Sequence, residues 1–495
     1  MPTDPSAPPL LLWFRRDLRL ADNPALDAAL ASGRPIVPVY ITDDADAGDW
    51  KPGGAQRWWL HGALAALGEA LQALGSRLVL RRGPAETAIE ALIAETGAEC
   101  VYWNRRYEPW ATRRDERIKA GLTGRGVEAR SFNAALIREP WDIATKSGGP
   151  YRVFTPFWKA LRAAGAPPEP LPAPKRIPAP GGFPQSEPLA SWALLPTAPD
   201  WAGGLRDAWQ PGEAAACDRL REFTDEALFG YHDRRDLPGA GGTSRLSAHL
   251  AFGEIGPRQI WHAVQAGALA RTGDPMPMGA DKGAEVFLSE IAWREFSYHL
   301  LHHFPELPAQ PLRPEFAGFP WADDPAGLEA WRRGRTGYPI VDAGMRELWA
   351  TGWMHNRVRM ITASFLIKDL LIDWRQGEAW FWDTLVDADL ASNAAGWQWV
   401  AGSGADAAPY FRVFNPVTQG TRFDPAGAYV RRWLPELAGL PDRVLHAPWT
   451  ADPLDLAAAG VRLGRDYPEP IVDHALARKR ALERYRRMKM GESAD

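Results

Sequence analysis

The sequence predicts two folded parts: an N-terminal α/β domain with a parallel, doubly wound sheet, and an all-α C-terminal domain. Three observations carry that expectation. Short apolar runs alternate with helical patterns through the first third of the chain. A Pro-, Ala- and Gly-rich stretch follows, and after Glu213 apolar residues recur almost wholly at helical spacing. At 495 residues the chain also exceeds the length, ~250–300 residues, at which one core stops growing.

Taken in order, the candidate strands are Leu10–Phe14, Ile36–Ile41, Arg77–Leu80, Cys100–Trp103 and Ala129–Phe132. Between them, Gln56–Leu74 and Ala85–Thr96 place apolar residues at helical spacing. No G-x-G-x-x-G follows the first strand, so a dinucleotide site of that kind is unsupported. The run APPEPLPAPKRIPAPGGFP reads as a linker. The expected division is therefore an α/β domain at 1–135, a Pro-rich linker at 136–212, a helical domain at 213–487 and a short tail at 488–495. No fixed-period repeat points to a solenoid.

Composition narrows the function classes. Hydrophobic and charged contents of 46% and 24% are ordinary for a globular protein, and no apolar run is long enough to cross a bilayer. The N-terminal MPTDPSAPPLLLWF lacks a basic n-region, so a cytoplasmic protein is expected; a monomer with no membrane partner is expected as well. Cys100 and Cys217 cannot build a disulfide framework or a cysteine-ligated cluster and read as buried, inert thiols. A net charge of −4 does not announce nucleic acid. Arg431–Arg432, Arg478–Arg480 and Arg484–Lys489 offer local basic faces, each of which alone reads as a solvated helix surface.

Tryptophan is the anomaly. The chain carries 24, more than core packing demands, and Trp353, Trp374, Trp380, Trp382, Trp397 and Trp399 crowd one stretch. Asn356, Arg357, Arg359, Asp387, Asp389 and Asn393 lie among them. Large aromatics beside fixed polar groups suit a flat, electron-accepting ring better than a metal or a covalent intermediate.

Four motifs stand out. Thr243, Ser244, Arg245, Leu246 and Ser247 suit a phosphate at a helix N-terminus, against the plainer reading of a capping run. Glu290, Trp293 and Arg294 share a helical face, where a carboxylate can bond a base edge while the ring stacks on it. The competing reading is an ordinary i,i+4 ion pair worth ~0.2–0.5 kcal/mol, with Trp293 in the core. Asn356 and Met360 share another face while Arg357 and Arg359 diverge, which suits a pocket apolar at its centre and phosphate-binding at its rim. His355 reads as structural, because no partner sits at metal spacing and no metal centre is expected. Asp387, Asp389 and Asn393 suit ribose hydroxyls and ring N–H groups, and the calcium-loop pattern is missing.

In this order the motifs resemble the photolyase/cryptochrome family, most like its class I-type cyclobutane pyrimidine dimer photolyases. The resemblance begins at Trp13–Arg19 (WFRRDLR), passes Asp22, Asn23 and Tyr151–Pro156 (YRVFTP), and ends near Trp433–Glu436. It is densest from Tyr338–Asp342 (YPIVD) to Asn415–Pro416. It implies light-driven repair of pyrimidine dimers in UV-damaged DNA with FAD in the helical domain. By position, Tyr231, Thr243–Ser247, Arg294, Asn356, Arg359, Asp387, Asp389 and Asn393 would hold the flavin, with Asn393 near its N5. An asparagine there is the repair pattern, where plant-type cryptochromes carry aspartate and animal-type ones cysteine. Glu290, Trp293, Asn356, Arg357, Met360 and Trp399 would surround a flipped-out lesion, Arg412 would meet a phosphate, and Trp321, Trp374 and Trp397 would form an electron-transfer chain. Family members specific for (6-4) lesions carry histidine at the position of Asn356.

An antenna chromophore is common in the family. Here Tyr107–Ala111 (YEPWA) does not reproduce the Asn-Glu pair of folate binders, and Arg106 replaces an acid of a deazaflavin binder. Methenyltetrahydrofolate, deazaflavin and no antenna are all compatible. The competing functions are a blue-light receptor on the same fold and a dark flavin oxidoreductase.

Overall fold

The computed structural model describes residues 7–272, 281–407 and 411–490. Five parallel strands, β1 (Leu10–Phe14), β2 (Ile36–Thr42), β3 (Val79–Arg82), β4 (Cys100–Asn104) and β5 (Glu128–Phe132), form one sheet in the order β3-β2-β1-β4-β5. Helices α1 (Pro24–Ala31), α2 (Gly54–Ala73), α3 (Ala85–Thr96) and α4 (Pro109–Gly124) make the crossovers. The doubly wound reading holds: Leu10 pairs with Ile36 on one side and Cys100 on the other, so the order reverses at β1. Every residue of β1 is buried, as a central parallel strand requires. Asn23 caps α1 by accepting from Leu26 N at 3.1 Å, and Pro24 at the first helical position needs no partner for its missing N–H.

The third strand lies two residues later than its apolar pattern predicts. It is an edge strand, paired only with β2, and it continues into Arg81 and Arg82, which bond Glu95 at 2.5 Å and Glu187 at 2.6 Å. The Pro-rich stretch is docked rather than free: Pro178 O accepts from Ile36 N at 2.8 Å, and Leu80 O accepts from Glu187 N at 3.0 Å. Prolines have no N–H to leave unsatisfied there.

The chain divides into two compact units, residues 1–229 with 244–305 and 386–389, and residues 230–243 with 306–385 and 390–495. The second is helical. Asp324, Asp373 and Asn415 each start a helix by accepting a backbone N–H, at 2.8, 3.0 and 3.1 Å. Its last helix, His474–Met490, passes the expected domain end at 487, and residues 491–495 of the expected tail lie outside the described residues.

Two smaller expectations change. Cys217 is exposed, because helix Glu213–Glu222 turns Ala216 and Leu220 inward instead. The basic clusters are partly structural: Arg431 bonds Asp442 at 2.7 Å, Arg480 donates to Asp369 O at 2.7 Å and Arg484 to Pro320 O. Among the described residues no helix is long and apolar enough to cross a membrane.

Candidate functional site

In the first unit the candidate residues ride on helix Lys282–His303, started by Asp281, which accepts from Ala284 N at 2.8 Å. Trp293 is half-buried. Phe154 covers one face of its ring, at 3.9 Å and 9° between planes, and Phe296 meets its edge at 5.7 Å. Trp293 is thus a braced plate rather than a core filler. Arg294 donates to Ala135 O at 2.7 Å and lies 4.7 Å over the Tyr298 ring, whose hydroxyl donates to Asp389. Arg294 also pairs with Glu295, at 3.9 Å. Glu295 is buried and accepts from Ile137 N at 2.9 Å and Arg138 N at 3.3 Å, and burial pushes its carboxyl up to about 7. Glu290 is half-buried, and Asp387 is buried.

The Ser/Thr run differs from its expectation. Helix Ser247–Phe252 has only six residues and starts at Leu246 with no side-chain cap, so the helix terminus offers little to a phosphate. What the run offers is Ser244, whose hydroxyl accepts from Leu246 N at 3.4 Å, and Arg245. Arg245 adopts a left-handed φ of 53° and sets its guanidinium 4.4 Å over Trp209.

In the second unit, helix Asn356–Ser364 is capped by His355, whose Nδ1 accepts from Arg357 N at 3.2 Å. Burial pushes the imidazole down to about 4, so it is a neutral, structural histidine. Asn356 is exposed. Arg357 bonds Asp236 at 2.8 Å, lies 4.5 Å over Phe423 and comes within 3.7 Å of Met360 Sδ. Arg359 turns away to Met354 O at 2.7 Å. The structure therefore groups Arg357 with Met360 and separates Arg359, as the helical spacing requires. Tyr231 is buried in a short helix with Arg235 5.5 Å over its ring, and Thr243 is half-buried.

Helices Trp374–Thr384 and Leu390–Ala401 pack together. Asn393 Nδ2 donates to Glu378 O at 3.1 Å, which fixes the amide and leaves Oδ1 as its acceptor. Burial holds the Glu378 carboxyl well above the usual carboxylate range, which favours its neutral form. Trp397 meets Phe381 at 5.0 Å and Trp331 at 6.3 Å. A Cβ on Gly377 would lie 2.1 Å from Trp397 Cη2, so only glycine admits this ring. Trp374 is buried under Arg375, 5.1 Å away. Trp321 is half-buried against Phe319 at 4.3 Å, and Ala322 N, beside it, donates to Leu371 O at 2.7 Å, three residues before Trp374. Trp399 and Arg412 line a recess with Lys368.

Three of these groups escaped the sequence reading. Tyr298 stands one turn beyond Arg294 and was legible as an i,i+4 neighbour. Lys368 is a cation inside the apolar run FLIKDLLI, which is also a signal. Nothing in one dimension links Glu378 to Asn393.

Comparison with known proteins matches residues 10–175 to DNA photolyase and residues 287–487 to the FAD binding domain of DNA photolyase. A deoxyribodipyrimidine photo-lyase of Agrobacterium fabrum is 54% identical over 97% of this chain and 98% of its own. The chain belongs to the DNA photolyase family. The crystal structure of a bacterial class III photolyase from Agrobacterium tumefaciens superposes with a TM-score of 0.93 at 54% identity, covering 98% of each chain. Cryptochrome-1 of Arabidopsis thaliana is 40% identical over 94% of this chain and 69% of its own. The likeness to class I-type photolyases is not confirmed, since the photolyase of this solved structure is described as class III. Within the photolyase family the C-terminal part is the FAD-binding domain, which makes FAD the cofactor.

Proposed function

We propose that the chain is a class III photolyase that uses light to split cyclobutane pyrimidine dimers in UV-damaged DNA. The observation that carries this reading is 54% identity, over 97% of the chain, to an enzyme whose name states that reaction. The local geometry suits it. Asn393 has its amide oriented by the Glu378 carbonyl, Trp293 has one ring face braced by Phe154, and Arg357 touches Met360.

The donor set fits a flavin: carboxylates at Asp387 and Asp389 for hydroxyl and ring N–H groups, the fixed amide of Asn393, and the guanidiniums of Arg245 and Arg294. Tyr231, Thr243, Ser244, Leu246, Ser247, Asn356 and Arg359 complete the proposed set. When bound and reduced, FAD supplies one electron to the dimer on illumination and takes it back once the two cyclobutane bonds have parted. Arg357 and Arg412 hold phosphates of the damaged strand. The dimer leaves the stack, and Trp293 and Trp399 offset the cost of unpairing by ~1–3 kcal/mol per base. Glu290 hydrogen-bonds the lesion and stabilises the charge it acquires, and Asn356 and Met360 are further lesion-contacting residues of this reading. Trp321, Trp374 and Trp397 would relay electrons from an external reductant to keep the cofactor reduced.

An antenna is a separate matter. The recess at the carboxyl ends of β1 and β2 has about 40 Å³ free, filled by Arg15, Arg106 and Arg114 over Trp13 and Trp110. Cofactor pockets run to ~300–1,000 Å³, so these residues do not fit a folate or deazaflavin in this arrangement.

The deciding experiment incubates the FAD-loaded protein with a thymine-dimer oligonucleotide in blue light and in darkness. Restored thymines only in the light are expected. Binding without restoration would favour the blue-light receptor that the 40% identity to Cryptochrome-1 keeps in view.

A further inference from the structure

Helix Asn356–Ser364 does not end in a simple cap. It widens into a π turn, Phe365–Asp369, and two residues on Leu371 takes a left-handed φ of 61° although it is branched and wholly buried. Such turns cost backbone energy and tend to mark functional positions. This one carries Lys368, which is only 4% exposed.

The surroundings of Lys368 compensate its charge only in part, through the nearby Asp369 and without an ion pair. Its ammonium donates to Arg412 O and lies 4.6 Å from the Phe411 ring. Among the described residues no carboxylate reaches it within ion-pair distance. The adjacent Asp369 is committed to His474 Nδ1 at 2.6 Å and stands near Arg480, while the other charge facing Lys368, Arg412, has the same sign. A buried ammonium has three donors, and here one is used. Lys368 also lines a recess with Ser364, Trp399, Val400, Gly402, Arg412 and Phe414, with about 40 Å³ free. That is room for a few water-sized groups at ~10–15 Å³ each. The exposed Arg412 guanidinium lies 4.9 Å over Phe414 beside this recess.

We infer that the recess is a phosphate site, in which the Lys368 ammonium and the Arg412 guanidinium take the oxygens of one phosphodiester of bound DNA beside Trp399. The inference rests on the DNA-repair reading and names a residue that reading does not use. Burial pushes the ammonium down to about 7, so without an anion beside it Lys368 loses its charge near neutrality. An anion restores that charge, which links strand binding to proton uptake. Affinity therefore falls as pH rises above 7, approaching tenfold per unit for one linked proton.

The test measures dark binding of a dimer-containing oligonucleotide to the FAD-loaded protein by anisotropy, across salt concentration and from pH 6 to 8.5. Lys368→Met is expected to bind about tenfold more weakly, to lower the salt slope by about one, and to lose the pH dependence. Its FAD content and unfolding midpoint should stay at or above the wild-type level, because a buried charge without an ion pair has been removed. A lysine needed only for structure would instead lower the midpoint. Lys368→Arg should restore the salt slope, and the wild type should take up protons on binding at pH 7.5. Inorganic phosphate should compete no better than chloride of equal ionic strength; strong competition by it overturns assignment to the strand. Equal affinity, slope and pH profile in Lys368→Met overturns the site itself. A wild-type protein that ignores the oligonucleotide altogether overturns the repair reading first.

Discussion

Two buried basic clusters in this molecule have opposite fates. At the carboxyl ends of the sheet strands three arginines each have an acid, while their neighbour Arg16 bonds the neutral Gln56. Arg15 bonds Asp115 at 2.5 Å, Arg114 bonds the same carboxylate at 2.9 Å, and Arg106 bonds Glu108 at 2.5 Å. Burial works against the Glu108 carboxylate, yet Arg106 holds it down to about 2. Lys368 is buried as deeply, yet its ammonium bonds only a carbonyl, and the nearby Asp369 is turned to His474. The difference separates scaffold from site: a charge neutralised within the chain fixes geometry, whereas one left over is available to a ligand.

The largest expected effect tests the scaffold side. Arg15→Ala leaves Asp115 with Arg114 alone and removes the donor to Asn104 O, and should cost roughly 3 kcal/mol in chemical denaturation. Lys368→Met should cost nothing under the same conditions. Equal losses would erase the distinction between the clusters.

The sequence made the scaffold legible and the site only partly so. Alternating apolar runs sufficed for the parallel sheet because β1, β2 and β4 are buried on both faces. They misplaced β3, whose last residues are arginines satisfied by Glu95 and Glu187 from elsewhere in the chain. Helical spacing foresaw that Arg357 and Arg359 diverge, since i,i+2 neighbours never share a face. It gave no warning that Leu246 rather than a hydroxyl would start the helix after the Ser/Thr run, or that Phe154 would brace Trp293. Those are long-range contacts, and period alone is blind to them. The docked proline stretch failed for the same reason, because composition reports stiffness and not what the segment lies against.

Glu295 sharpens the comparison from between the extremes. Its partners are two backbone N–H groups and an arginine 3.9 Å away, so its charge is only partly met. With its carboxyl at about 7 when folded and near the usual 4.5 when unfolded, the native state binds the extra proton between those values. Stability is therefore highest below 4.5 and falls as pH rises through 7, by roughly 3 kcal/mol at 1.36 kcal/mol per unit. Glu295→Gln keeps an acceptor for Ile137 N and Arg138 N and should flatten this loss, leaving the variant more stable than wild type at pH 8 in urea melts. A variant equally sensitive to pH would show that some other group sets the slope.

The smallest expected effect separates shape from charge at the recess. Ser364 lines it too and accepts from Phe414 N at 3.3 Å, so two side chains of one helical run tether the segment that bears Arg412. Ser364→Ala leaves that buried N–H unmet and should cost about 1 kcal/mol of stability. It removes no charge, so the salt slope of DNA binding should stay at the wild-type value while Lys368→Met lowers it. If Ser364→Ala lowers the slope as well, the lysine acts by shaping the Arg412 segment, and the phosphate belongs to Arg412 alone.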